Sequence, residues 1–366
     1  MNIQNATPYQ AGWTMGFERD GREMLVVIVK ATFQIPEDFS APVLAPQQAS
    51  LTEADISSGE PGFSAIVYES DYAHRKPFCD ILLNGSAYVP GGRTAKEVGV
   101  GLRVGSMKKT FNVVGNRHWQ AGLLSCSASP PQPFSIMPIS YDCAFGGFDN
   151  SDPKLLRVYN QNPAGKGYSH HMKELDGCPL PNTEELGQRV ERPDGRYRPM
   201  AFGPIGRAWE PRCQFAGTYT QEWIQTRAPF WPDDFDYRHF QAAPPDQQIP
   251  YLQGGEEVIM INLSAQGDIR FRLPAIPMPV TFIPHQGKDH NTEAVIDTLL
   301  LEPDLKRFAL TWRTTMAMKR SVFDIKEIVI GQSKAWYRTR RFPGKTYYRS
   351  LHELVQARGK KQREAA

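Results

Sequence analysis

Leu25-Val26-Val27-Ile28-Val29-Lys30-Ala31-Thr32-Phe33 opens on five consecutive apolar residues, and this stretch decides the fold class. It is rich in β-branched residues and too short for a typical helix. An unbroken apolar run of this length reads as a strand covered on both faces. Asp20-Gly21 just upstream is a hairpin-turn dipeptide, which predicts pairing of this strand with residues 12–17. Residues 80–88 form a second strand candidate. Val98, Val100, Leu102 and Val104 alternate with Gly99, Gly101 and Arg103, and after a polar turn at 105–109 the apolar stretch 111–114 completes a hairpin. Toward the other end, 257–263, 269–273, 295–301, 308–314 and 325–330 all read as strands. Phe308, Leu310 and Trp312 fall on one face of theirs and Arg313 on the other.

Residues 129–250 differ from both flanks, because they hold 17 of the 30 prolines. Proline removes ladder hydrogen bonds and blocks helix interiors. The region is nevertheless rich in aromatics, which disordered segments lack. The expectation is a packed, loop-rich insertion between two sets of strands, with one short helix over 221–227 opened by Thr218 or Thr220 and closed by Pro229. The fold class is thus mainly β: antiparallel sandwich- or barrel-like strands from both chain ends, a long proline- and aromatic-rich insertion, and a short C-terminal helix marked by the capping pattern Ser350-Leu351-His352-Glu353. One all-β domain is expected over 1–330 (strand-rich at 1–128 and 251–330), followed by a basic tail over 331–366.

Composition narrows the function. With 366 residues, 40% hydrophobic residues, 30 glycines and 30 prolines, the chain fits neither a collagen nor a coiled coil. No apolar run approaches the roughly 20 residues of a spanning helix. The first 20 residues show no basic-then-apolar leader, and the five cysteines are widely spaced and odd in number, so a reduced, cytoplasmic protein is expected. From Lys334 onward, ten lysines and arginines face two glutamates, a charge of +8 that leaves −5 on the rest of the +3 chain.

Motifs for chemistry are weak. Gly99, Gly101 and Gly105 miss the dinucleotide spacing and no helix follows them, while the 162–167 loop lacks the Ser/Thr that a phosphate loop places after its lysine. There is no CxxC, HExxH or GxSxG, and His170-His171 has the wrong spacing for zinc, so no metal or cofactor is expected. Asp233-Asp234-Phe235-Asp236 lacks the glycine and distal glutamate of a calcium loop and reads as a solvated turn. An enzyme would need a polar pocket joining residues such as Asp80, His118, Asp142 or His171. The tail interleaves Trp336, Tyr337, Arg340 and Arg341; such residues anchor protein interfaces, so docking on the acidic body or on a partner is favoured over base stacking on nucleic acid.

An ordered set of strings carries a family resemblance: 7–14 (TPYQAGWT), 80–85 (DILLNG), 141–147 (YDCAFGG), 162–165 (NPAG), 202–205 (FGPI) through 209–212 (WEPR), 216–219 (AGTY), 228–236 (APFWPDDFD), 242–247 (AAPPDQ) and 254–257 (GGEE). Over about residues 2 to 330 the chain resembles the bacterial family catalogued as domain of unknown function 2169. The resemblance implies an accessory role in the type VI secretion system: a cytosolic adaptor or chaperone that helps load a PAAR-domain effector onto the VgrG spike protein, with no catalytic residues. Such an adaptor needs an apolar–aromatic surface with a polar rim. Trp209, Trp223, Phe230, Trp231 and Phe235 are the expected contributors.

Overall fold

The computed structural model describes residues 1–331 except 38, 123–125, 150, 152, 153, 172–174 and 211, and beyond them residues 344, 346, 348, 351 and 354–358. The opening stretch is the middle of a 12-residue strand, Glu23–Gln34, buried at every position from 24 to 33. It is an interior strand, next to the edge, of a six-stranded sheet of order Gln248–Ile249, Cys79–Leu83, Val295–Glu302, Arg307–Ala317, Glu23–Gln34, Gln10–Phe17. Cys79–Leu83 and Val295–Glu302 run parallel; the other neighbours are antiparallel. The predicted hairpin is present: Gly21 N–H bonds Glu18 O, Glu18 N–H bonds Arg22 O, and Gly21 takes φ 84°, the left-handed bulge residue after a turn.

A second, five-stranded antiparallel sheet has the order Thr183–Glu184, Met107–Val114, Glu97–Val104, Glu257–Ile261, Ile269–Arg272. The inner faces of the two sheets meet through aromatic rings. Phe308 lies 5.2 Å from Phe33 within its own sheet and 5.2 Å from Phe271 of the other. The arrangement is a sandwich and not a closed barrel, since among the described residues each sheet ends in open edges. The predicted strand 80–88 is two strands: Cys79–Leu83, and Gly85–Tyr88, which leaves to pair with Ile136–Ile139. Asn84 makes the break. Its backbone bonds Leu301 O and its side-chain amide bonds Val67 O, which spends its hydrogen bonds on turning the chain.

The chain divides into two compact units. The larger comprises 9–277 and 294–322 and contains both of these sheets. The smaller comprises 1–8, 278–293 and 323–366. It holds a four-stranded sheet in which Ile325–Ile330 pairs parallel with Asn2–Asn5 and antiparallel with Pro279–Pro284, which in turn pairs with His290–Glu293. In the tail, Leu351 and residues 354–358 are helical.

The six-stranded sheet is two-sided in an unusual way. One face carries Phe33, Phe308, Leu310 and Trp312. The register places Lys30, Thr311, Arg313, Thr298 and Asp80 on the other. Lys30, Asp80, Thr311 and Arg313 are buried and Thr298 is half-buried, because residues from the 45–76 segment and from 241–243 cover them. Lys30 pairs with Asp71 at 2.8 Å and Arg313 with Asp297 at 2.5 Å. Arg313 also donates to the carbonyls of Asp71 and Ala73. Asp80 accepts from Lys76 Nζ (2.8 Å), Gln241 Nε2 (2.6 Å) and the backbone N–H groups of Ala242 (2.8 Å) and Ala243 (3.2 Å). Burial by itself would lower the Lys76 pKa; the carboxylates of Asp80, Glu69 and Asp297 outweigh it and raise it, so Lys76 stays charged.

Removing one partner of a buried pair leaves a bare charge, at about 3–5 kcal/mol. Asp80→Ala therefore lowers the urea midpoint strongly, while Asp20→Ala, whose partner Arg22 is exposed, leaves it nearly unchanged. Equal midpoints for the two variants would contradict this account of the layer.

Candidate functional site

The expected aromatic surface is only partly at the surface. The helix forms at Gln221–Thr226, with Thr220 Oγ1 accepting from Trp223 N–H at its start. The chain then turns through a cis bond at Ala228–Pro229 and lays Phe230 and Trp231 against the tip of the first hairpin. Phe230 packs edge-on to Phe17 at 5.2 Å, and Trp231 Nε1 donates to Phe17 O at 3.0 Å. Trp223 Nε1 donates to Phe230 O at 2.9 Å. Arg227 ties the same loop down through Arg19 O and the Asp233 carboxylate. Trp223, Phe230 and Trp231 are half-buried in this arrangement.

Trp209 and Phe235 do not join them, which corrects the expectation. Trp209 is 5% exposed and meets Tyr141 edge-on at 5.6 Å; Phe235 is 1% exposed and stacks on Trp231 at 4.2 Å, with Phe240 and Tyr237 around it. Their rings are spent on holding the loop layer together. Trp336, Tyr337, Arg340 and Arg341 lie outside the described residues. Two residues missing from the expectation are exposed beside the cluster: Tyr219, 51% exposed and 4.7 Å from the Trp223 ring, and Ile224, 56% exposed on the helix. An isoleucine on a six-residue helix carries no periodicity from which its exposure could be read.

The adjoining strand Gln10–Phe17 is an edge. Because Glu18 and Arg22 form a hydrogen-bonded pair, alternation turns the backbone groups of Ala11, Trp13, Met15 and Phe17 outward. The outward carbonyl of Phe17 is the one that Trp231 caps. Gly16 lets the covering layer close on this strand, since a Cβ there would sit 2.6 Å from the His74 ring. The aromatic cluster thus ends an open edge and is held by backbone and ring contacts instead of by its own full burial.

The alternative set of polar residues is dispersed. Asp80 is fully buried and bonded as described above. Asp142 pins the 58–65 turn by accepting from Ser58 Oγ (2.6 Å) and Ala65 N–H (2.7 Å). His118 is exposed and held through its backbone to Ser129 and Pro179. His171 lies beside Ser151 and Asp149. No residue is shared among these four environments. Among the described residues no cluster of His, Cys, Asp and Glu could hold a metal ion.

A cleft of about 500 Å³ opens elsewhere in the larger unit, lined by Lys109, Tyr141, Arg198, Ile205, Glu210 and Cys213 among others. Lys109 projects from the inner sheet face, donates to Gln247 Oε1 at 2.6 Å and lies 3.3 Å from Asp246, which Arg198 also contacts at 2.7 Å. Burial draws the Lys109 pKa down to about 8; Asp246 opposes this and Arg198 reinforces it. An unfolded lysine titrates near 10.4. Between pH 8 and about 10 the unfolded chain therefore binds the proton that folded Lys109 has released, and stability from this residue rises with pH. Urea midpoints of wild type and Lys109→Met at pH 8 and pH 10 test the sign: the difference, wild type minus variant, increases at the higher pH. An unchanged or falling difference contradicts it.

No solved structure and no curated protein matches this chain. Residues 20–313 match a family model described as an uncharacterized protein conserved in bacteria. That span takes in the five-stranded sheet, the aromatic loop and the six-stranded sheet except for Gln10–Phe17 and the last residues of Arg307–Ala317. On this match the chain belongs to the bacterial DUF2169 family.

Proposed function

We propose that this protein is a non-enzymatic adaptor of the type VI secretion system, which holds a PAAR-type effector in the cytoplasm and presents it to the VgrG spike. The family resemblance motivates the system and the partners. The observation that carries a binding role is the half-buried trio Trp223, Phe230 and Trp231, fixed to the hairpin tip beside an open sheet edge and extended by exposed Tyr219 and Ile224.

The physical case is preorganisation. Aromatic anchors supply most of the binding energy in interfaces, but ordering a mobile side chain costs about 0.5–1.5 kcal/mol. Here the indole N–H groups of Trp223 and Trp231 are already bonded to backbone carbonyls, so their rings keep one orientation before a partner arrives. The polar rim is present in Arg227, Asp233 and Arg19. Among the described residues no helix is long and apolar enough to cross a membrane.

The double variant Tyr219→Ala/Ile224→Ala removes exposed apolar area without opening the core. Co-expressed with the effector from the same genome and purified through a tag, it loses at least about tenfold of the captured effector, while its melting temperature stays within a few degrees of wild type. Undiminished capture sinks the proposal. Trp209→Ala, by contrast, lowers the melting temperature, because it empties a buried site.

A further inference from the structure

The five-stranded sheet also ends in an open edge, strand Ile269–Arg272, and the chemistry there differs from that of the aromatic loop. Leu273 N–H bonds Glu256 O and Leu273 O accepts from Gly255 N–H, so alternation turns the backbone N–H and C=O of Arg270 and Arg272 away from the sheet. Phe271 is buried inward, and both arginine side chains stand exposed on the outer face. Facing this edge is the turn at 39–42, carried out from the first sheet by the bonds Gln34 N–H to Val43 O and Ala45 N–H to Thr32 O. The groove between edge and turn has a volume of about 540 Å³. Phe39, 80% exposed, and Pro42 form its far wall.

Two arginines, Arg270 and Arg272, line the groove with one carboxylate, Glu257. Arg103 and Arg270 converge on a single carboxylate, Glu257, at 3.9 and 2.5 Å. Arg272 donates to Gly255 O and makes no ion pair among the described residues. The hydrogen bond from Arg270, with the nearby Arg103 and Arg272, holds the Glu257 carboxyl below its usual range, as expected where positive charge is in excess. A strand laid along this edge would place alternate side chains beside Arg270 and Arg272 and the others toward Phe271 and Phe39.

We propose that this groove binds an extended segment of a partner protein in which acidic and apolar residues alternate, added as a sixth strand beyond Ile269–Arg272. The main chain of the segment satisfies the outward groups of Arg270 and Arg272, its acidic side chains meet the arginines, and its apolar ones enter the groove. This site is separate from the aromatic cluster and does not depend on the adaptor reading.

The probe is a fluorescein-labelled hexapeptide alternating glutamate and valine, with a lysine–valine hexapeptide as control. Fluorescence anisotropy at low salt is expected to show binding of the first peptide, at least about tenfold weaker binding of the second, and a loss of at least about tenfold in Arg270→Glu/Arg272→Glu. Added salt weakens the interaction. Backbone placement is read separately: hydrogen exchange at the Arg270 and Arg272 amides slows when the glutamate peptide is added. Absence of binding, equal binding of the lysine peptide, binding unaffected by the double variant, or unprotected edge amides each overturns the proposal. So does sedimentation showing that the wild-type chain pairs with a second copy through this edge and that the double variant is monomeric.

Discussion

Asp80 is the point on which the loop layer of the larger unit depends. A carboxylate on a central strand, sealed from water, is costly unless every lone pair is used. Here Lys76 supplies the countercharge, and Gln241 with the N–H groups of Ala242 and Ala243 supplies the remaining donors. These donors come from two distant stretches, so satisfying one side chain fixes both 76 and 241–243 over the same patch of sheet. Gln247 continues the seam. Its side-chain amide donates to Ile81 O and Phe202 O, and its carbonyl receives Lys109.

This arrangement explains how a proline-rich region can be ordered with little regular structure. Prolines forfeit ladder bonds, and the loops recover them one at a time from side chains. Arg212 spans Ile205 O, His239 O and Glu69; Asn162 donates to Tyr141 O and Phe145 O. Buried polar groups satisfied in this way specify one geometry, because any shift leaves a donor or carbonyl unpaired. The aromatic loop inherits that rigidity. Trp231 stacks on buried Phe235, whose neighbours Tyr237 and Phe240 belong to the same layer.

Among the described residues, the long edge strand of each sheet of the larger unit, Gln10–Phe17 and Ile269–Arg272, has no further strand beyond it. The two edges are treated differently. Gln10–Phe17 is bordered by indole and phenyl rings, while Ile269–Arg272 is bordered by guanidinium groups. Exposed edges are commonly blunted by charge or a covering element. In this molecule the two borders differ in chemistry, one aromatic and the other cationic.

Most long strands of the two larger sheets were legible from residues alone, because alternation and unbroken β-branched runs report directly on which faces are buried; Asn2–Asn5, Pro279–Pro284 and His290–Glu293 of the smaller unit were not among the expected strands. The 20–21 turn, the short helix with its start at Thr218 or Thr220, of which the structure uses Thr220, and the packed character of the insertion were legible for the same local reasons: backbone angles and capping are set by neighbours in sequence. The fates of single side chains were not. Nothing near Trp209 or Phe235 announces that their rings are buried while those of Trp223 and Phe230 are half-exposed. Nothing near Asp80 announces that its four donors come from residues 76 and 241–243. Local sequence determined which segments are strands and turns. Only the tertiary structure decided which polar groups are interior and which aromatics face outward, since burial is a property of what other segments lie on top.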